Sequence, residues 1–210
     1  MHDSEKFLEL LEPAYSDAVK YCRALCSNLS ADDAEDVLQQ ALLKALESFE
    51  SLNDRNKFRS WFFKIITRVF YTHLRRHFWK RFLPLDTNPG IGEMPEVYDR
   101  IERNEDTITL MKALSKLSAK ERSAVLLYEI ADFSIEEIAS VQNDNSLSAV
   151  KSRLSRARRK LRKHISGIEQ RVNPDISKNS STNIMELNNR YEGDLENETI
   201  KLVAQIKTEK

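Results

Sequence analysis

Phe7, Leu8, Leu11, Tyr15, Ala18, Val19, Cys22 and Leu25 recur at helical spacing, which predicts an amphipathic helix over residues 5–28. Ser30 then stands as an N-cap and opens a second helix through Leu46, with Val37, Leu38, Ala41, Leu42 and Ala45 turned inward. Asp32, Asp33, Glu35 and Asp36 load its first turns, where the positive end of the helix dipole favours carboxylates. A loop from Ser48 to Asn56 precedes a long helix predicted from about Lys57 to Trp79. Phe58, Trp61, Phe62, Ile65, Ile66, Val69 and Phe70 give that helix its apolar face. Lys57, Ser60, Lys64, Arg68, Tyr71 and Arg75 form a stripe on the far side.

Pro84, Pro89, Gly90, Gly92 and Pro95 then break the pattern, since they cannot all sit inside a helix or strand. Helical spacing resumes near Glu105 with Leu110, Met111, Leu114 and Leu117. Ser118 to Glu121 reads as a capping box opening a further helix, and Ser134 to Glu137 as a second, opening a short helix through Ile138, Ala139 and Val141. After the turn QNDNS, a last helix runs from Leu147 to about Ile165, with Leu147, Val150, Leu154, Ala157 and Leu161 on one side. A short helix, a turn and a longer basic helix make the helix-turn-helix pattern. The expected fold is all-α: two small helical domains joined by a flexible linker, the second a helix-turn-helix. The expected divisions are residues 1–82, an acidic linker 83–105, residues 106–167, and a tail 168–210.

Charge sharpens this picture. The 33 basic and 33 acidic residues cancel overall, yet they are segregated along the chain. From Asp32 to Asp54 there are seven acids against Lys44 alone, whereas Arg55 to Phe82 holds no acid among its many Lys, Arg and aromatic residues. Cations attract phosphates and flat rings stack on unpaired bases, so the basic block suits nucleic acid, single strands above all. Trp61 and Phe62 fall on the apolar phase and are read as core. Lys64, Arg68, Tyr71 and Arg75 are read as a binding face, because an ordinary solvated face mixes signs. Leu147 to Lys163 carries eight bases and no acid. Opposite its apolar side lie Ser148, Ser152, Ser155, Arg156, Arg159 and Lys163, flanked by Lys151, Arg153, Arg158 and Arg162. Small serines let a helix enter a major groove, and arginines reach guanine edges and phosphates.

Other chemistry is not expected. No apolar run is long enough to insert in a membrane, and the start MHDSEKFLEL lacks the basic flank and apolar run of a secretory signal. Cys22 and Cys26 are read as buried small side chains rather than a metal or redox pair, which suits a reducing, cytoplasmic setting. His73 and His77 are read as surface or interface residues, not metal ligands. With no phosphate-binding glycine loop and no nucleophile–base constellation, neither an enzyme nor a cofactor is expected.

The runs DAEDVLQQALLKALESF (Asp33 to Phe49) and KFRSWFFKIITRVFYTHLRR (Lys57 to Arg76) resemble the promoter-melting domain of bacterial extracytoplasmic-function (ECF) sigma factors. LSAKERSAVLLYEIADFSIEEIA and AVKSRLSRARRKLRKHI resemble their C-terminal helix-turn-helix domain, so the likeness covers about residues 5 to 166. It implies a factor that binds core RNA polymerase and directs promoter recognition, DNA melting and transcription initiation. On the helix matching Asp33 to Glu47, it implies that Asp36, Gln39, Gln40 and Leu43 meet the clamp of the β′ subunit. It implies that Asn53, Asp54, Arg55 and Asn56 line a pocket for a flipped base of the single-stranded minus-ten element. Lys64, Arg68, Tyr71, Arg75 and Arg76 would then hold its backbone and bases. Ser148, Lys151, Ser152, Arg153, Ser155, Arg156 and Arg159 would read the minus-thirty-five duplex, and the acidic linker would thread into the polymerase.

The resemblance also implies an anti-sigma factor as a further partner. The turn VQNDNSLSAV lacks the family's usual glycine, so Asn143 or Asn145 is expected to take the left-handed conformation. The tail lies beyond the family pattern. It reads either as disorder or as a regulatory segment masking a DNA or polymerase surface. The alternative for the whole chain is a stand-alone helix-turn-helix regulator, which would bind specific DNA without core polymerase and leaves the basic aromatic helix unexplained.

Overall fold

A computed structural model of the chain describes residues 2–82 and 105–172, and among these residues there is no strand. The readings made for the linker (83–104) and for the tail from residue 173 lie outside the described residues. The first domain consists of α1 (His2–Leu25), α2 (Ala31–Glu47) and α3 (Phe58–Phe82). Ser30 caps α2 as expected: its hydroxyl accepts from the Asp33 amide at 3.1 Å, and the Asp33 carboxylate accepts from the Ser30 amide at 2.9 Å. The predicted loop between α2 and α3 is more ordered than its sequence suggested. It folds as two 3₁₀ turns, Phe49–Ser51 and Arg55–Lys57.

The core of this domain is built on aromatic rings. Phe7 meets Phe49 and Phe58 edge-on, with centroids 5.3 and 5.6 Å apart, an arrangement that sets the positive ring edge against a negative face. Deeper in, the Thr67 hydroxyl donates to the Phe63 carbonyl at 2.7 Å, so the Tyr21 hydroxyl, 2.8 Å away, donates to Thr67. Burial holds the Tyr21 phenol well above its ordinary pKa. Cys22 and Cys26 are free and buried beside it; burial pushes the Cys26 thiol up to about 12 and Cys22 higher still.

The second domain comprises α4 (Glu105–Ser115), α5 (Ala119–Glu129), α6 (Ile135–Gln142) and α7 (Leu147–Val172). Both predicted capping boxes form, at Ser118 with Glu121 and at Ser134 with Glu137. Asn143 supplies the left-handed residue, with φ 54° and ψ 46°. The Asp144 amide donates back to the Ala139 carbonyl at 2.8 Å, the six-to-one bond of a Schellman motif, which closes α6 without glycine. α7 continues past its predicted end near Ile165. Val150, Leu154, Ala157 and Leu161 are buried, but Leu147 is 42% exposed, because it begins the helix beyond the edge of the core.

The two domains pack together, α1 against α5 and α3 against α6. Phe63 is buried between Tyr21 and Phe133, at ring distances of 5.2 and 5.4 Å. Arg59 bonds both Asp17 and the Ala131 carbonyl at 3.0 Å. The most unusual member of this interface is Arg122, only 2% exposed. It donates to the Leu25 carbonyl at 2.7 Å, Ser27 Oγ at 3.1 Å and Asn28 Oδ1 at 2.6 Å, all at or just past the end of α1, and to the Leu117 carbonyl at 3.3 Å. These acceptors are neutral, and burial lowers the Arg122 pKa to about 10.

Two carboxylates tie the fold to pH. Burial acts to raise Asp33, but bonds from Ser30 and from His73 Nε2 at 2.7 Å outweigh it. Burial acts the same way on Glu121, where bonds from Lys160 at 2.8 Å and from Ser118 prevail. Both pKa values therefore lie below their ordinary values. Stability from such groups is present above the unfolded-state pKa and is lost as pH falls through the folded-state value. Chemical denaturation across a pH series should show the midpoint falling below pH ~4. Glu121→Gln should make that fall shallower.

Candidate nucleic-acid interface

On α7, Ser148, Lys151, Ser152, Ser155, Arg156 and Arg159 are all exposed, as the sequence phase required. Three small hydroxyl residues near the start of the helix leave its backbone accessible, with longer cations following. Arg158 and Lys160 are partly neutralised, the first by Glu129 at 3.1 Å and the second by Glu121. Arg153 differs from its neighbours. It is 9% exposed, and its Nη1 donates inward to Gln142 Oε1 and to Asp144 Oδ2, the latter at 2.6 Å.

α3 divides in a similar way. Arg68, Arg75 and Arg76 are exposed. Lys64 and Tyr71 are half-buried against the second domain: Lys64 Nζ lies 3.4 Å from Ser140 Oγ, and the Tyr71 hydroxyl lies 2.8 Å from Ser123 Oγ. Burial, helped by nearby Arg68, lowers the Lys64 pKa, and burial raises that of Tyr71. In the loop before α3, Asn53, Asp54 and Asn56 are exposed. Asp54 caps the second 3₁₀ turn by accepting from the Asn56 amide at 3.1 Å. Arg55 is anchored, its guanidinium 3.8 Å above the Phe49 ring and its Nη1 bonded to the Phe49 carbonyl at 2.7 Å.

Asp36, Gln39, Gln40 and Leu43 share one exposed face of α2, and Leu43 is 61% exposed. Leu46 extends the apolar surface on the same helix, a residue that sequence reasoning placed only as a helix end. Among the described residues no group of His, Cys, Asp or Glu is placed to hold a metal ion, and no helix is long and apolar enough to cross a membrane.

Residues 10–80 fit the family model for sigma-70 region 2, and residues 108–161 that for sigma-70 region 4. RNA polymerase sigma factor SigV of Bacillus subtilis is 31% identical over 131 residues, covering 62% of this chain and 75% of that one. Sigma factor YlaC of the same organism is 28% identical over 169 residues, covering 79% and 95%. Among solved structures, the sigma factor RpoE of Bartonella quintana, in complex with the anti-sigma factor NepR, aligns with a TM-score of 0.65 and 28% identity. That alignment covers 79% of this chain and 98% of RpoE. CnrH, in complex with the cytosolic domain of CnrY, shares the fold at a TM-score of 0.54 and 20% identity.

Two sigma-70 regions in this order define an RNA polymerase sigma factor. The chain belongs to the ECF branch of that family. It acts in promoter recognition and transcription initiation with core RNA polymerase, and its family is one of initiation factors rather than enzymes.

Proposed function

We propose that the chain divides promoter recognition between two acid-free faces. Arg68, Arg75 and Arg76 on α3, joined by Lys64 and Tyr71, hold the melted minus-ten strand. Asn53, Asp54, Arg55 and Asn56 form the pocket for its flipped base. Ser148, Lys151, Ser152, Ser155, Arg156 and Arg159 on α7 read the minus-thirty-five duplex. Asp36, Gln39, Gln40 and Leu43 on α2 bind the β′ clamp. The observation that carries this reading is the charge segregation: exposed cations without acids on α3 and on residues 147–163 of α7, against an exposed face on α2 that carries acid and leucine.

In this reading residues 1–82 and 106–167 are the working units, joined by the linker 83–105 and followed by a regulatory or disordered tail 168–210. The factor performs no catalysis of its own and works in the cytoplasm with its polymerase. Likeness to RpoE, solved with NepR, supports an anti-sigma protein as a further partner. Lys64 and Tyr71 are engaged by Ser140 and Ser123, so their use on DNA requires the two domains to part.

The test is assembly and promoter opening with core RNA polymerase. Gln40→Ala with Leu43→Ala should weaken polymerase binding. Arg68→Ala with Arg75→Ala should leave that binding intact and reduce open complexes by at least ~10-fold. Loss of polymerase binding in the second variant would show the α3 face to be misassigned.

A further inference from the structure

Arg153 stands in the second turn of α7, among the residues proposed to read the duplex, yet its guanidinium turns inward. Its Nη1 bonds Gln142 and Asp144, the two residues flanking left-handed Asn143. One side chain therefore spans the turn of the helix-turn-helix from α7 and grips it on both sides. Gln142 is itself buried and fixed, its Nε2 donating to the Lys120 carbonyl at 2.9 Å and to Ser123 Oγ at 2.6 Å. The chain of bonds thus joins α5, the end of α6, the turn and α7. Satisfied polar networks of this kind select one arrangement among several apolar packings of similar energy. A non-glycine residue in the left-handed conformation carries a steric cost that glycine would not, and bonds on both sides of Asn143 help to hold the turn against it.

We propose that Arg153 is a positioning residue for promoter recognition: through Gln142 and Asp144 it sets the angle of α7, and it does not contact DNA itself. The inference rests on the reading of α7 as the groove helix. Every contact from Ser148 to Arg159 depends on that angle, so loosening it blurs recognition across the whole site instead of at one base pair.

The experiment uses the full chain with core RNA polymerase and two duplex probes, the best-bound sequence from a randomised pool and a scrambled one. Arg153→Met and Asp144→Ala should each lower the ratio of specific to scrambled binding by roughly 10-fold, and the double variant should add little further. The salt dependence of binding should stay unchanged, whereas Arg156→Ala, a direct contact, should make it shallower by about one phosphate's worth. If Arg153→Met fails to fold, Arg153→Lys and Asp144→Ala carry the test, with thermal unfolding as the control. A shallower salt dependence on losing Arg153 would mean direct DNA contact and overturn the proposal. So would a specificity ratio untouched by Asp144→Ala, which would leave the clamp a mere stiffener. A wild-type chain that prefers no duplex from the pool would overturn the groove-helix reading as well.

Discussion

Replacing Arg156 and Arg159 together by alanine is expected to weaken minus-thirty-five duplex binding by roughly 2–4 kcal/mol, or between about 30-fold and about 1,000-fold. Both side chains are exposed on the α7 face that carries no acid. Each can offer a planar fork of donors to a guanine edge or a phosphate, which alanine cannot replace. Their exposure also means that the fold does not depend on them. Thermal unfolding should therefore stay close to wild type while titration of labelled duplex shows the loss. A change below about three-fold would place the recognition surface elsewhere on α7.

Phe62→Ala should have the largest effect on the fold itself, lowering the unfolding free energy by ~3–5 kcal/mol in urea titrations. Phe62 is 0% exposed, stacked on Phe58 at 5.9 Å and edge-on to Phe63 at 6.4 Å. Removing the ring leaves a cavity between α3 and its neighbours, where rigid aromatic side chains cannot collapse to fill it. Because α2 packs on α3, the polymerase face on α2 should be lost with it. Phe62→Leu, which fills more of the volume, should recover a good part of the loss.

Most of the fold was legible because local rules and tertiary packing agree. Ser30, Ser118 and Ser134 cap their helices as their spacing required, and the glycine-free turn found its left-handed residue at Asn143. What escaped the sequence is the contact between the domains. α3 was read as having one apolar face and one exposed stripe, yet Phe63 and part of Tyr71 are covered by the second domain. Arg153, read as flanking the groove face, falls three residues after Val150 and one before Leu154, within the buried stripe, and its guanidinium turns inward to Gln142 and Asp144. Arg122 drew no reading from the sequence, although it lies one turn ahead of buried Val125 and Leu126; its acceptors come from the end of α1, which no local pattern reveals. On α3, phase and charge agree for exposed Arg68 and Arg75.

Cys22 and Cys26 give the chain a chemical silence. Both thiols are buried, Cys22 in the last turn of α1 and Cys26 just beyond it, and burial raises their pKa values, which disfavours the thiolate that reacts with electrophiles. Fluorophores or spin labels can therefore be placed on cysteines introduced at the surface without first removing the native pair. Movement of α7 relative to α3 can then be followed in an otherwise unaltered chain as polymerase and promoter are added.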